Sequence, residues 1–250
     1  MTAALAIARV TTRQLLGLKR LIGFGLLSLG PAALFFIGSR RVGRFDILDR
    51  FLGIGLGTFF IVVVPVVTLI IAGSALGDER RDSTLSFIVL RPVSRLVITG
   101  SKLGSAFASA FALTGSGALA LGVVYGLRTS DWGYVVPMVA AAGVATAVYT
   151  AIFVPLGYVT ERSTLLGLAY VFIWENGVVS AVTGLSATSP WRTGYTAFYA
   201  LIPQDGVAMI DDFGVQGVDG GLGSAFTAAA IFVALSAGFI VALLRRRDLA

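Results

Sequence analysis

Residues 51–77 read FLGIGLGTFFIVVVPVVTLIIAGSALG, a stretch of 27 residues without one charged side chain. An α-helix rises about 1.5 Å per residue, so roughly 20 apolar residues cross a hydrocarbon core of about 30 Å. This stretch is long enough to do so. A soluble amphipathic helix would place polar residues every third or fourth position, and that rhythm is missing here. In lipid, a helix is the one open structure that satisfies all its own backbone hydrogen bonds.

Working outward, the same pattern recurs. No charge falls at 21–39, 103–127, 132–160 or 220–244, and 163–191 carries Glu175 alone. The predicted spans are 21–39, 51–76, 103–126, 134–158, 164–184 and 224–244. Composition agrees, with 56% hydrophobic and 13% charged residues and a mean hydropathy of +0.90. A soluble domain carries about 25% charged residues. The expected fold is an all-α membrane protein of six transmembrane helices. Small residues at helix-packing spacing (Gly53 with Gly57, Ser105 with Ser109, Ala106 with Ala110) let backbones approach in a bundle. Pro31, Pro65 and Pro155 fall inside spans, where kinks are tolerated.

The charges between spans set the orientation, because Lys and Arg collect on the cytoplasmic side. With the N-terminus inside, the inner segments carry 13 basic residues and the outer segments 6. Both termini are therefore expected in the cytoplasm. The Arg40–Arg50 loop is discordant, placing four arginines outside. The domains expected are an amphipathic cytoplasmic connecting helix at 1–20 and a transmembrane domain at 21–250. On a wheel of the leading helix, Arg9, Arg13 and Arg20 share a sector, with Ile7, Val10, Leu18 and Leu21 roughly opposite. Such a helix lies along a membrane surface. It does not read as a cleavable signal peptide, since Arg40 and Arg41 follow the apolar run without a small-residue cleavage site.

Two connections are long. The cytoplasmic one, 77–102, reads GDERRDSTLSFIVLRPVSRLVITGSK. The outer one, 185–223, is rich in Gly, Ser and Asp but holds the aromatic stretch Trp191–Pro203. That stretch is expected to dip back into the outer leaflet as a re-entrant loop, since Trp and Tyr favour the interface.

The inventory excludes several chemistries. There is no cysteine or histidine, which removes the commonest metal ligands and general base. No phosphate-binding loop, zinc-protease motif or nucleophile with a base occurs. Energy from nucleotide hydrolysis would have to come from another chain, and no cofactor is expected in this one. The net charge of +6 follows membrane topology and does not suggest nucleic acid.

Loop 77–102 carries a recognisable pattern: Glu79, then Thr84–Leu85, then Pro92-Val93-Ser94-Arg95, then Lys102. It resembles the cytoplasmic loop of ABC-2 type (type V exporter-like) transporter permeases, with Ser83 standing where a Gly is usual. The run Tyr170-Val171-Phe172-Ile173-Trp174-Glu175 is similar to an aromatic-Trp-Glu run in one branch of that family. The resemblance implies a permease subunit that pairs with a second one, identical or related. Each docks a cytoplasmic ATPase, two copies per transporter, which bind the ATP and Mg. The membrane implied is the cytoplasmic membrane of a prokaryote. Glu79, Arg80, Thr84, Leu85, Arg91, Pro92 and Arg95 become the expected ATPase-coupling residues. A solvated loop that only sets topology is the plainer reading of the same charges.

Trp174, Glu175 and Asn176 are the expected substrate-path or gating residues. Glu175 lies about 18 Å into the fifth span, where a charge costs at least about 2.5–3.5 kcal/mol, so it should face the bundle or a cavity. A hydrogen bond tying this span to a neighbour explains it nearly as well. The expected activity is export of an amphipathic or hydrophobic substrate such as a drug, lipid or peptide. The alternative is a secondary transporter or channel independent of an ATPase, with Glu175 its one intramembrane charge. A membrane-embedded enzyme finds no catalytic set.

Overall fold

The computed structural model describes residues 3–41, 44–81, 93–182, 185, 188–203 and 220–246. Helix α1 spans Ala3–Leu15 and α2 Leu18–Gly38; α3, Arg44–Leu52, runs through a π-helical segment Gly53–Val63 into α4, Val64–Arg81. Next come α5 (Arg95–Thr129), α6 (Val135–Val159) and α7 (Ser163–Ala169), the last continuing through a π segment Tyr170–Val178 into α8, Val179–Ala181. Helix α9 spans Pro190–Tyr199 and α10 Leu222–Arg246. Among the described residues there is no strand. The protein is an all-α membrane protein.

Leu18–Gly38, Asp46–Arg81, Arg95–Thr129, Val135–Val159 and Leu222–Arg245 are long and apolar enough to cross a membrane. The remaining expected span, 164–184, is the continuous run of α7, π segment and α8, where Glu175 and Asn176 interrupt the apolar sequence. Two boundaries move. Gly17, with extended backbone at φ −56 and ψ 145, breaks the chain between α1 and α2, so 1–20 is not one helix. The expected Arg40–Arg50 loop is largely helical instead. Asp46 in the first turn of α3 and Arg50 in its last both oppose the helix dipole, which favours that helix.

Helix α1 buries one face in the bundle. Thr11 and Leu15 are buried, whereas Val10 is 57% and Leu18 74% exposed. The packing stripe runs through Ile7, Ala8, Thr11 and Leu15, at helical spacing. Its small side chains bring the Ser105 hydroxyl of α5 to 3.3 Å from the Ala8 carbonyl, to which it donates.

Helix α6 sits at the centre, packed against α4, α5, α9 and α10. Its closest neighbour is α4, because Gly157 and Gly73 meet backbone to backbone. A Cβ on Gly157 would overlap the Gly73 carbonyl, and one on Gly77 would stand 3.0 Å from the Gly157 oxygen. Against α5, the Thr114 and Thr146 hydroxyls meet at 2.9 Å. Of the small pairs named from sequence, Ala106 and Ala110 are fully buried with Ser105 and Ser109. Gly53 and Gly57 have nothing within 4 Å of a would-be side chain. They belong instead to the first π segment, which ends two residues before Pro65. Proline donates no backbone bond and its ring crowds the carbonyl four residues earlier, and wider turns relieve that crowding.

Candidate functional site

Glu175 is 1% exposed and its carboxylate accepts three hydrogen bonds. The Tyr149 hydroxyl of α6 donates to Oε2 at 2.6 Å. The Ser189 hydroxyl donates to Oε1 at 2.8 Å, and the Trp191 backbone N–H donates to the same oxygen at 3.0 Å. Ser189 is also the N-cap of α9, accepting from the Arg192 N–H, with Pro190 opening the helix. A helix N-terminus offers unpaired N–H groups and the positive end of its dipole, so a carboxylate is held well there. One side chain thus ties three elements: the π segment that carries it, α6, and the start of α9.

These contacts fix the path of α9. It starts level with Tyr149, and Gly194 lies against the Ala141 carbonyl and Ala145. Pro203 beyond it reaches Gly133 at the start of α6, so α9 runs antiparallel to α6. Its Tyr195, Ala197 and Phe198 are buried. Residues 204–219 of the expected outer loop lie outside the described residues.

The other two residues expected with Glu175 go elsewhere. Trp174 is 39% exposed and shares the outward surface with Phe172, Ile173 and Val178. Asn176 donates from Nδ2 to the Val171 carbonyl at 2.8 Å, a bond within its own helix. A helix turns about 100° per residue, so neighbours in sequence face different ways.

The expected coupling residues lie where α4 ends, α5 begins and α1 crosses them. Glu79 and Arg80 belong to α4, which runs to Arg81, and not to a loop. Glu79 is buried and ion-paired to Lys102 of α5, itself 1% exposed. Its carboxylate therefore serves an internal contact and is not a free docking surface. Arg80 donates to the Tyr158 carbonyl at 2.5 Å, satisfying an acceptor in the last turn of α6. Arg20 of α2 donates to Ser74 at 3.1 Å and to Asp78 at 3.3 Å, and Arg81 pairs with the same Asp78. A cavity of about 220 Å³ between α1 and α4 is lined by Thr11, Gln14, Leu15, Ser74, Ala75, Asp78 and Glu79. Arg95 opens α5, where the Ser94 side chain accepts the Val97 N–H at 3.3 Å as N-cap. The Pro-Val-Ser-Arg run thus ends in a helix start. Thr84, Leu85, Arg91 and Pro92 lie outside the described residues.

Sequence reading missed Tyr149, Ser189 and the N–H of Trp191 as partners of Glu175. The Ser189-Pro190 pair was a usable signal, because Ser at the N-cap with Pro at the first helical position marks a helix start. It also missed that Glu79 and Lys102, both part of the recognised pattern, pair with each other.

Several helices long and apolar enough to cross a membrane, with a buried carboxylate anchoring α9, define the class as a polytopic membrane protein. The family model for "ABC-2 family transporter protein" matches residues 19–182. This chain belongs to the ABC-2 transporter family and is a membrane-embedded permease subunit of an ABC transporter. Such permeases work with an ABC ATPase. No curated protein matches it.

Proposed function

We propose that this chain is the permease of an ATP-driven exporter that moves an amphipathic or hydrophobic substrate out of a prokaryotic cytoplasm. It pairs with a second permease, identical or related, and each engages one of two ATPase copies that bind the ATP and Mg. Both of its termini are cytoplasmic. The carrying observation is the joint at the ends of α1, α4 and α5. Arg20 binds Asp78 and Ser74, Lys102 binds Glu79, and Ser105 binds the α1 backbone. A push by an ATPase on the segment between α4 and α5 would reach α1, α2, α4 and α5 at once through these contacts. Export fits the short 185–223 segment, which leaves no room for a large outer substrate-collecting domain. The second span and the fifth, which holds the expected path residues, both carry π segments, a distortion frequent at functional sites.

The experiment is reconstitution with a candidate ABC ATPase subunit. Arg95→Glu should lower substrate-stimulated ATP hydrolysis and copurification of the ATPase, with normal membrane insertion. Unchanged copurification and turnover would reduce the loop to a topology signal. Reversal of Glu79 is uninformative here, because it breaks an internal ion pair.

A further inference from the structure

Three arginines converge on the end of α2 farthest from α1. Arg50 donates to the Gly38 carbonyl at 2.6 Å. Arg128, in the last turn of α5, donates from Nε to the Ser39 hydroxyl at 3.2 Å and from Nη2 to the Phe36 carbonyl at 3.4 Å. Carbonyls in a helix's last turn lack intrahelical partners and sit at the negative end of its dipole. Capping therefore accounts for Arg50 and Arg128. It does not account for Arg40, which makes no hydrogen bond or ion pair among the described residues.

Arg40 lies over the Phe36 ring, its guanidinium carbon 4.6 Å from the centre, and Arg128 lies 5.3 Å from the same centre. Two cations thus share one aromatic ring. Among the described residues neither forms an ion pair; Asp46 and Asp49 do not reach them, and Asp131 accepts the Gly133 N–H at 2.9 Å. Like charges gathered this way repel unless an anion joins them. Below them runs an apolar stripe of α2. Ile22, Leu29 and Phe36 are 51%, 43% and 41% exposed. Gly25 and Ala33 lie between at helical spacing, and Arg40 takes the next position.

We propose that Arg40 and Arg128 hold a phosphate group over Phe36, carried either by a lipid whose acyl chain follows the α2 stripe or by free phosphate. A guanidinium matches phosphate oxygens with paired donors, and Arg40 has all of its donors available. The site gives a role to Arg40, one of the four arginines that violate the positive-inside pattern. It requires only that the chain be in a membrane, so its failure would leave the ATPase-coupled reading intact.

The test is thermal unfolding of the reconstituted protein in phosphatidylglycerol and in phosphatidylcholine vesicles, the latter with and without inorganic phosphate. The midpoint should be higher in phosphatidylglycerol, and Arg40→Gln, which loses no internal bond, should remove most of that rise. A single arginine contact corresponds to about fivefold in headgroup affinity. A rise with inorganic phosphate equal to that in phosphatidylglycerol assigns the anion to solution; none assigns it to lipid. Equal midpoints under all three conditions, or a full rise in Arg40→Gln, would overturn the proposal.

Discussion

Lys102 of α5 and Glu79 of α4 form an ion pair inside the protein, with Lys102 1% and Glu79 9% exposed. Removing one member of such a pair leaves an uncompensated buried charge and costs about 3–5 kcal/mol, whereas replacing both with apolar groups is often neutral. Glu79→Leu, which strands the Lys102 ammonium, should therefore destabilise the protein strongly, and Lys102→Met with Glu79→Leu should recover most of the loss. Thermal unfolding of purified single and double variants checks this. A single variant as stable as wild type would show that the pair contributes nothing.

Glu175 offers a finer comparison. In Glu175→Gln the amide oxygen can keep the Ser189 and Trp191 donors, while the amide N–H₂ donates to the Tyr149 oxygen. Stability should stay close to wild type. Glu175→Leu strands three donors, each costing about 1–3 kcal/mol, so melting temperature and yield should fall together. Transport separates the two roles. If Glu175 lines the substrate path, the Gln variant changes rate or preference in a stable complex; if it only anchors α9, transport stays near normal. Wild-type stability and transport in the Leu variant would eliminate both.

The contact between α4 and α6 predicts an unusual glycine sensitivity. Gly157→Ala should destabilise by more than about 2 kcal/mol, since overpacking displaces backbone here, not a flexible side chain. Gly100→Ala is the matched control. Nothing lies within 4 Å of that position, and Ala in a helix gains about 0.5–1 kcal/mol over Gly. Opposite shifts in unfolding midpoint are expected, and shifts of the same sign would contradict the packing.

Topology can be read directly. Reporter fusions after Arg41 and after Arg247 should report opposite sides of the membrane, following the bias of 13 inner against 6 outer basic residues. Signals from the same side would remove the orientation.

Much of the fold was legible because uncharged runs of membrane length leave few alternatives. Positions 51–77 and 134–158 became helices within a few residues, apart from the helical extension into 44–50. The fifth span was harder, since Glu175 and Asn176 offset its apolar residues. What single-residue patterns could not show was pairing across the sequence. Glu175 had to meet something, but Tyr149 is 26 residues away in a different span. On α1 the wheel showed a membrane-facing apolar side but not the second face, Thr11 and Leu15, that is buried in the bundle. At the start of the second span, four arginines looked like a loop because charge marks a membrane exit. Arg50 instead stays helical by reaching back to Gly38.

Where Gly73 and Gly157 touch, no side chains stand between the two helices. A seam of that kind has no rotamers to reshuffle, so it cannot slide in small steps as interdigitated side chains can. Helices α4 and α6 are then a single lever, moved together or not at all. Any deformation during a transport cycle would then fall on the irregular points of the chain: the extended backbone at Gly17 and the widened π turns at 53–63 and 170–178.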